Sequence, residues 1–411
     1  MSSACSNGLN SIIILSMNYL KIIINKIIMK KTITTIFSLA LVFLFIGMAS
    51  CKKNDPEPTG NPTFAGSAAC AECHQEIYDI FIESGHPYKL NKVEGSQPVI
   101  PFTTAAGLQI PTPAGYNWAD LTYIIGGYGW KVRFLDSEGY IITANGDTQY
   151  NLEDGSQVAY HATDPIGTKK YDCGRCHTTN WVSVEDGGSP QDGLAGMDGQ
   201  FDAGGVHCEQ CHGNGSDHII TESEDYITVD RTSELCGQCH YRNADHSIAA
   251  SGGFIKHHEQ YDEYLTSKHN ETMTCGACHD PHASVVHDSE AKGMGVTKEC
   301  SECHSTDAEY SYDNVHMNAT CLDCHMPEAS KSAIAKGPYQ GDVKTHIFSI
   351  NTDANGEFWS SEGAIANANG EGVTLEMICY KCHKDGNGEG GSNSQKTMEQ
   401  LAAKAATFHQ K

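Results

Sequence analysis

Between residues 117 and 160 short apolar runs are separated by polar turn signals. Tyr123–Tyr128, Trp130–Leu135 and Tyr140–Ala144 are rich in aromatic and branched residues, punctuated by Gly-Gly, Asp-Ser-Glu-Gly and Asn-Gly. This predicts a small antiparallel β insert. Helical spacing is confined to short stretches, such as His257–His269 and a terminal helix over Gln395–His409, the latter after a Gly/Ser/Asn linker at Asp385–Ser394. At the N-terminus, Met29-Lys30-Lys31 precedes an apolar run to Ile46. The rest lacks the long amphipathic pattern of a helix bundle and carries 41 glycines. The fold class expected is mainly α, with much irregular structure wrapped around flat apolar cofactors.

Those cofactors are read from one motif. Cys-x-x-Cys-His occurs eight times and takes sixteen of the eighteen cysteines. The copies are Cys70, Cys73 and His74; Cys173, Cys176 and His177; Cys208, Cys211 and His212; Cys236, Cys239 and His240; Cys275, Cys278 and His279; Cys300, Cys303 and His304; Cys321, Cys324 and His325; and Cys379, Cys382 and His383. Two thiols so spaced can add to the vinyl groups on one porphyrin edge, which sets the next imidazole beneath the ring as proximal ligand. Tetrahedral zinc needs no His after every second Cys, and no CxxCxxC run of iron–sulfur type occurs. The expectation is eight covalently attached haems c. Roughly 45 residues per motif leave little chain for an ordinary core, so the porphyrins are expected to be much of it.

The N-terminal run has the profile of a secretory signal, with the true start expected at Met29. It ends in Gly47-Met48-Ala49-Ser50-Cys51, which resembles a bacterial lipoprotein cleavage box with Cys51 lipidated. A retained membrane anchor is the alternative, weakened by the polar tether at Asp55-Pro56-Glu57-Pro58. The location expected is extracytoplasmic, lipid-anchored in the periplasm or at the outer membrane. Formal charge is −24, and removal of residues 1–50 with their four lysines would make it −28. Such a field disfavours nucleic acid and favours redox partners with basic docking surfaces. The organisation expected is signal 1–50, tether 51–62, first haem with β insert 63–170, seven-haem region 171–384, and linker with terminal helix 385–411.

The strings GSAACAECHQEIYDIFIESGH and GGVHCEQCHGNGSDH resemble the nitrifier tetrahaem cytochrome c family. Its superfamily includes pentahaem nitrite reductases and octahaem hydroxylamine and tetrathionate enzymes. TCGACHDPH, HMNATCLDCHMP and KTHIFSINTD resemble the second half of pentahaem and decahaem relatives. Most of residues 64–350 is covered. The resemblance implies stacked haem pairs and suggests His86, His218, His269, His282, His316 and His346 as distal ligands. His161 is a seventh candidate, and His257 or His258 the eighth. The CxxCK of the nitrite reductases is absent. Lys169 and Lys170, before Cys173, read as solvated. With thirteen histidines outside the motifs, every iron can be closed. The first reading is therefore an electron relay between a membrane donor and a terminal acceptor. The second is a reductase of a small nitrogen or sulfur compound with one open iron. The third is a filament or complex subunit.

Overall fold

The computed structural model describes residues 57–305, 319–384 and 394–409. The chain divides into residues 1–58 and 59–411, and the second unit is the one considered below. The lipidation box at Cys51, His316 and most of the linker lie outside the described residues.

The insert forms a five-stranded antiparallel sheet in sequence order: β1 Leu90–Lys92, β2 Tyr123–Gly126, β3 Lys131–Leu135, β4 Gln149–Asn151 and β5 Gln157–Val158. In β3, Val132 and Phe134 are fully buried, packing with Ile100, Ile124 and Tyr150 on one side of the sheet. The opposite face carries Lys131, Arg133 and Leu135, since neighbouring strand residues point to opposite sides. Leu135 packs there with Tyr123, Tyr171 and Met197, and Cys173 of the second motif joins that cluster. One face of the insert therefore addresses the second motif.

Three expectations need correction. Tyr140–Ala144 is not a strand: it makes the single bridge Leu135↔Ile141, with Ile142 N–H donating to Phe134 O and Ile141 N–H turning instead to Lys169 O, each at 2.9 Å. Ile141, Ile142 and Thr143 are all buried, so no face alternates, and Ala144 turns the chain at φ 70°. The sheet also begins earlier than residue 117, because β1 pairs with β2. Nor does helix dominate, at 26% of residues against 15% strand. Most motif helices are single turns: Gly174–His177, Cys208–His212, Cys300–Cys303 and Cys321–His325.

Three longer helices and one short one frame the motifs. α1 (Ser67–Phe81) carries the first motif and departs from helical geometry at His74. α2 (Gln260–Leu265) lies within the helix expected at 257–269, and a tighter turn follows at Lys268–Glu271. α3 (Leu375–His383) contains the last motif. α4 (Met398–Ala405) starts with a capping box in which Thr397 and Gln400 exchange bonds. Leu401 of α4 packs against Leu375 and Tyr380 of α3, folding the terminal segment back. A second core of Ile248, Ile255, Ile347, Phe358, Val373 and Met377 supports the later motifs. No helix among the described residues is long and apolar enough to cross a membrane.

Glu209, inside the third motif, ties the N-terminal segment down. Its buried carboxylate accepts from the amides of Ala65, Gly66 and Gly215, each at 2.8 Å. Glu209→Ala would strand three donors, two at the start of α1 and one, Gly215, before the turn at Ser216–Thr221. The expected cost is about 2–4 kcal/mol, read as an earlier thermal transition of the holoprotein. An unchanged transition would show that water replaces the carboxylate freely.

Candidate functional site: facing histidines and a buried basic cluster

Five motif histidines each face a non-motif imidazole of their own at nearly constant distance, and two more, His177 and His240, share His258 at 6.1 and 6.0 Å. Ring centres are 6.3 Å apart for His74–His218 and His212–His282, 6.1 Å for His279–His346 and His269–His304, and 6.0 Å for His325–His409. The planes meet at anything from 2° to 80°. Packed aromatic rings favour particular tilts, whereas a shared metal fixes distance and leaves rotation free. Two metal–imidazole bonds of about 2 Å, with each nitrogen roughly 1.1 Å from its ring centre, give about 6.2 Å. The residues present thus fit iron held between paired imidazoles.

The outward nitrogens support the same fit. Nδ1–H donates to a carbonyl from His212 (Thr228 O, 2.7 Å), His218 (Ser223 O, 2.9 Å), His279 (Gly295 O, 3.2 Å) and His325 (Phe348 O, 2.9 Å). Such a bond fixes the tautomer and leaves Nε2 as the free lone pair, the usual support for a metal-bound histidine. His282 uses Asp280 in the same way at 3.0 Å. Burial pulls His346 down to about 3, keeping it neutral.

Other histidines are engaged elsewhere. His207 spends both nitrogens on protein, Nδ1 with Ser67 Oγ at 3.1 Å and Nε2 on Gly204 O at 2.9 Å. His161 lies at the surface with Nδ1 2.9 Å from Asp164, and the structure does not bring it to a motif histidine. His409, absent from the sequence-based set, is brought to His325. Its only sequence signal was a place at the end of an amphipathic terminal helix able to fold back. His86 sits beside His240, and burial holds its imidazole near 3.

The second motif differs. Gly174 lies under Trp181, where a Cβ would fall 1.9 Å from the indole. Around His177 gather Lys89, Lys131 and Arg133, whose charges, after burial itself, push its imidazole down to about 3. His258 stands 6.1 Å from His177 and 6.0 Å from His240, so it can complete one of them at most. His257 packs on His258 at 4.5 Å. Arg242 donates from Nε to His257 O at 2.8 Å and lies against the His257 ring at 3.1 Å.

Each cation is held. Arg133 places its guanidinium 3.6 Å from the Tyr160 ring centre and donates from Nε to Gln149 Oε1 at 2.9 Å. Lys131 Nζ donates to Ser332 O. Burial lowers Lys131 to about 6 and Lys89 to about 8. Three of the chain's four arginines (133, 175 and 242) lie in this region or in the motif itself, in a chain of formal charge −24. Arg242 has the buried Glu259 carboxylate 3.7 Å from its Nε, and Asp342 acts on Lys131; the remaining concentration of like charge is costly unless a further anion joins it. Lys170, by contrast, pairs with Asp198 at 2.8 Å on the surface, as its solvated reading implied.

Motifs also touch one another through their thiols. Cys70 contacts Cys208, Cys176 contacts Cys239, Cys236 contacts Cys275 and Cys300 contacts Cys321. Among the described residues no group of three or more His, Cys, Asp or Glu converges on one point as a metal cage would.

Comparison with known proteins agrees with this picture. Residues 144–213, spanning the second and third motifs, match the family described as cytochrome c554 and c-prime. A stretch of 155 residues is 27% identical to the dissimilatory sulfite reductase MccA of Wolinella succinogenes, covering 30% of this chain and 22% of that protein. Two solved structures share the fold. Form II of the W. succinogenes octahaem sulfite reductase MccA aligns with TM-score 0.54 and 18% identity, over 78% of this chain and 65% of that one. The outer cell wall cytochrome OcwA aligns with TM-score 0.50 and 17% identity, over 84% and 86%. The chain thus spans less than a quarter of MccA in the sequence match and under two thirds of it in the structural one. The motifs, the facing imidazoles and these likenesses define a class: the chain is a multihaem c-type cytochrome, a haem-based electron-transfer protein.

Proposed function

We propose that the chain carries eight haems c outside the cytoplasm and reduces a small oxyanion of sulfur or nitrogen at the second motif. The observation that carries this reading is the half-buried basic cluster of Lys89, Lys131 and Arg133 around His177, with the more exposed Arg242 against the neighbouring His257. It shifts the weight from the pure relay to the reductase. When bound, haem c supplies one-electron redox centres and, where an axial position is open, a Lewis-acidic iron. The residues do the rest. Planar guanidiniums of Arg133 and Arg242 suit paired oxyanion oxygens, and Lys131 and Lys89, whose charged forms burial disfavours, would take up charge when an anion binds beside them. His258 stands 6.1 Å from His177 with His257 packed on it, and burial keeps both imidazoles neutral. The relative named a sulfite reductase makes sulfite the first substrate to try, with nitrite second.

The remaining seven motifs form the supply. We assign His218, His282, His346, His269 and His409 as partners of His74, His212, His279, His304 and His325, and His86 as partner of His240. His316 remains the candidate from the sequence for a further iron. The thiol contacts join the first motif to the third, the fourth to the fifth and the sixth to the seventh, with the second leaning on the fourth. Cys51 would anchor the protein, and its acidic surface would receive a basic donor. A plain relay remains the second reading, favoured by one observation: His258 is near enough to His177 to close that iron as well.

Low-temperature EPR of the oxidised, haem-loaded protein tests this. One haem whose signal changes on adding sulfite or nitrite is the expected result. A spectrum of low-spin haems that ignores both anions would leave the relay.

A further inference from the structure

Lys131 is held by a segment far away in sequence. After the seventh motif, the chain pairs Ser330–Lys331 alongside Ile255–Lys256, leaves in a loop, and returns at Val343 to bridge Ser330. The closing point is tight: a Cβ at Gly341 would fall 2.0 Å from Ser330 O. Asp342, 8% exposed, knits this loop from inside. Its Oδ1 accepts from Ser332 N–H at 2.5 Å, and its Oδ2 from Ala333 and Ile334 N–H at 2.7 and 2.9 Å. Its own carbonyl accepts from Trp130 Nε1 at 3.0 Å. Trp130 precedes Lys131, and Lys131 Nζ ends on Ser332 O.

One aspartate therefore fixes both partners of that last contact, the strand that carries the lysine and the carbonyl that receives it. A lysine ammonium has three donors on a flexible stem, and alone it would wander. With one donor spent on a fixed carbonyl, the other two point in set directions. Asp342 has no route to the anion except through this loop, so it does not act on substrate itself.

We propose that Asp342 is a positioning residue of the anion site: by locking Ser332–Ile334 it sets Lys131 Nζ on the face of β3 turned toward the second motif. This rests on the reading that the basic cluster binds an anion. The exchange Asp342→Asn keeps the shape but replaces one accepting oxygen by an amide that faces backbone donors. The loop loosens, and Lys131 loses its fixed carbonyl.

The test is a sulfite titration of oxidised holoprotein, followed by haem absorbance, for the wild type, D342N, K131M and the double variant. Hydrogen exchange at the amides of residues 332–334 is read in parallel. Sulfite should bind about tenfold more weakly to D342N, and about thirtyfold more weakly to K131M, the range for losing charged hydrogen bonds. In the double variant D342N should add nothing, because its effect passes through Lys131. Exchange at 332–334 should quicken in D342N. Unchanged affinity in D342N, or the same tenfold loss in the K131M background, overturns the positioning role while leaving the anion site standing. A wild type that shows no sulfite response overturns the anion site, and the positioning role with it. Should D342N fail to load haem, Trp130→Phe removes the indole bond instead. About a threefold loss, absent in the K131M background, is then expected, and no loss overturns the proposal.

Discussion

Replacing Arg133 by methionine is expected to lower kcat/KM for sulfite by about a hundredfold or more, at unchanged haem content. The reason lies in how the guanidinium is held. Tyr160 lies on one face and Gln149 takes Nε, so the remaining N–H groups are already aimed before any anion arrives. Preorganised donors in a site shielded from water are worth more than the same donors in solution. Losing a forked pair of charge-assisted bonds costs about 3 kcal/mol, or a factor of roughly 150. Methionine keeps most of the stem's volume, so packing against Leu135 and Tyr160 should survive. Steady-state kinetics with an artificial donor, alongside haem stain and absorbance, reads the effect. A variant with wild-type kcat/KM would remove Arg133 from the site and weaken the reductase reading as a whole.

Expressed where haem cannot be attached, the chain is expected to lack a cooperative thermal transition altogether. Most motif helices have four or five residues, well below the length at which an isolated helix persists in water. The apolar clusters are several and small, and motif cysteines such as Cys173, Cys324 and Cys379 sit at their margins. The five-stranded insert is the part with a core of its own. Circular dichroism through a thermal ramp on protein made without haem attachment is the check. A sharp transition at the holoprotein's temperature would show that the polypeptide core suffices.

What could be read beforehand follows from range along the chain. The motifs are local, five residues each, so they were legible without error in position. The strands Tyr123–Gly126 and Lys131–Leu135 were legible because apolar runs and turn signals are local too. Tyr140–Ala144 misled because three successive buried residues look like a strand whether or not a partner lies on each side. The facing histidines depend on where the chain returns, and resemblance supplied several that spacing could not. His409 escaped because no motif accompanies it. The basic cluster left one signal that went unused. Lys131 and Arg133 are two apart in a strand whose Val132 and Phe134 are apolar, which puts both charges on one face. Arg242 and Lys89 carried no such mark, since only folding brings Lys89 near His177 and Arg242 against His257.

The direction of the histidine pairs also bears on how the molecule comes into being. His74 faces His218, His212 faces His282, His279 faces His346 and His325 faces His409. In each case the motif is synthesised first and its counterpart later, with His304 and the earlier His269 reversing the order. A nascent chain therefore carries a growing row of half-finished sites, each exposing an apolar disc on one side once haem is attached. Closure of long loops comes late and slowly. Assembly of this protein is accordingly a race between completing the C-terminal histidines and clumping through the unfinished faces. The short helix that returns His409 is its final clasp.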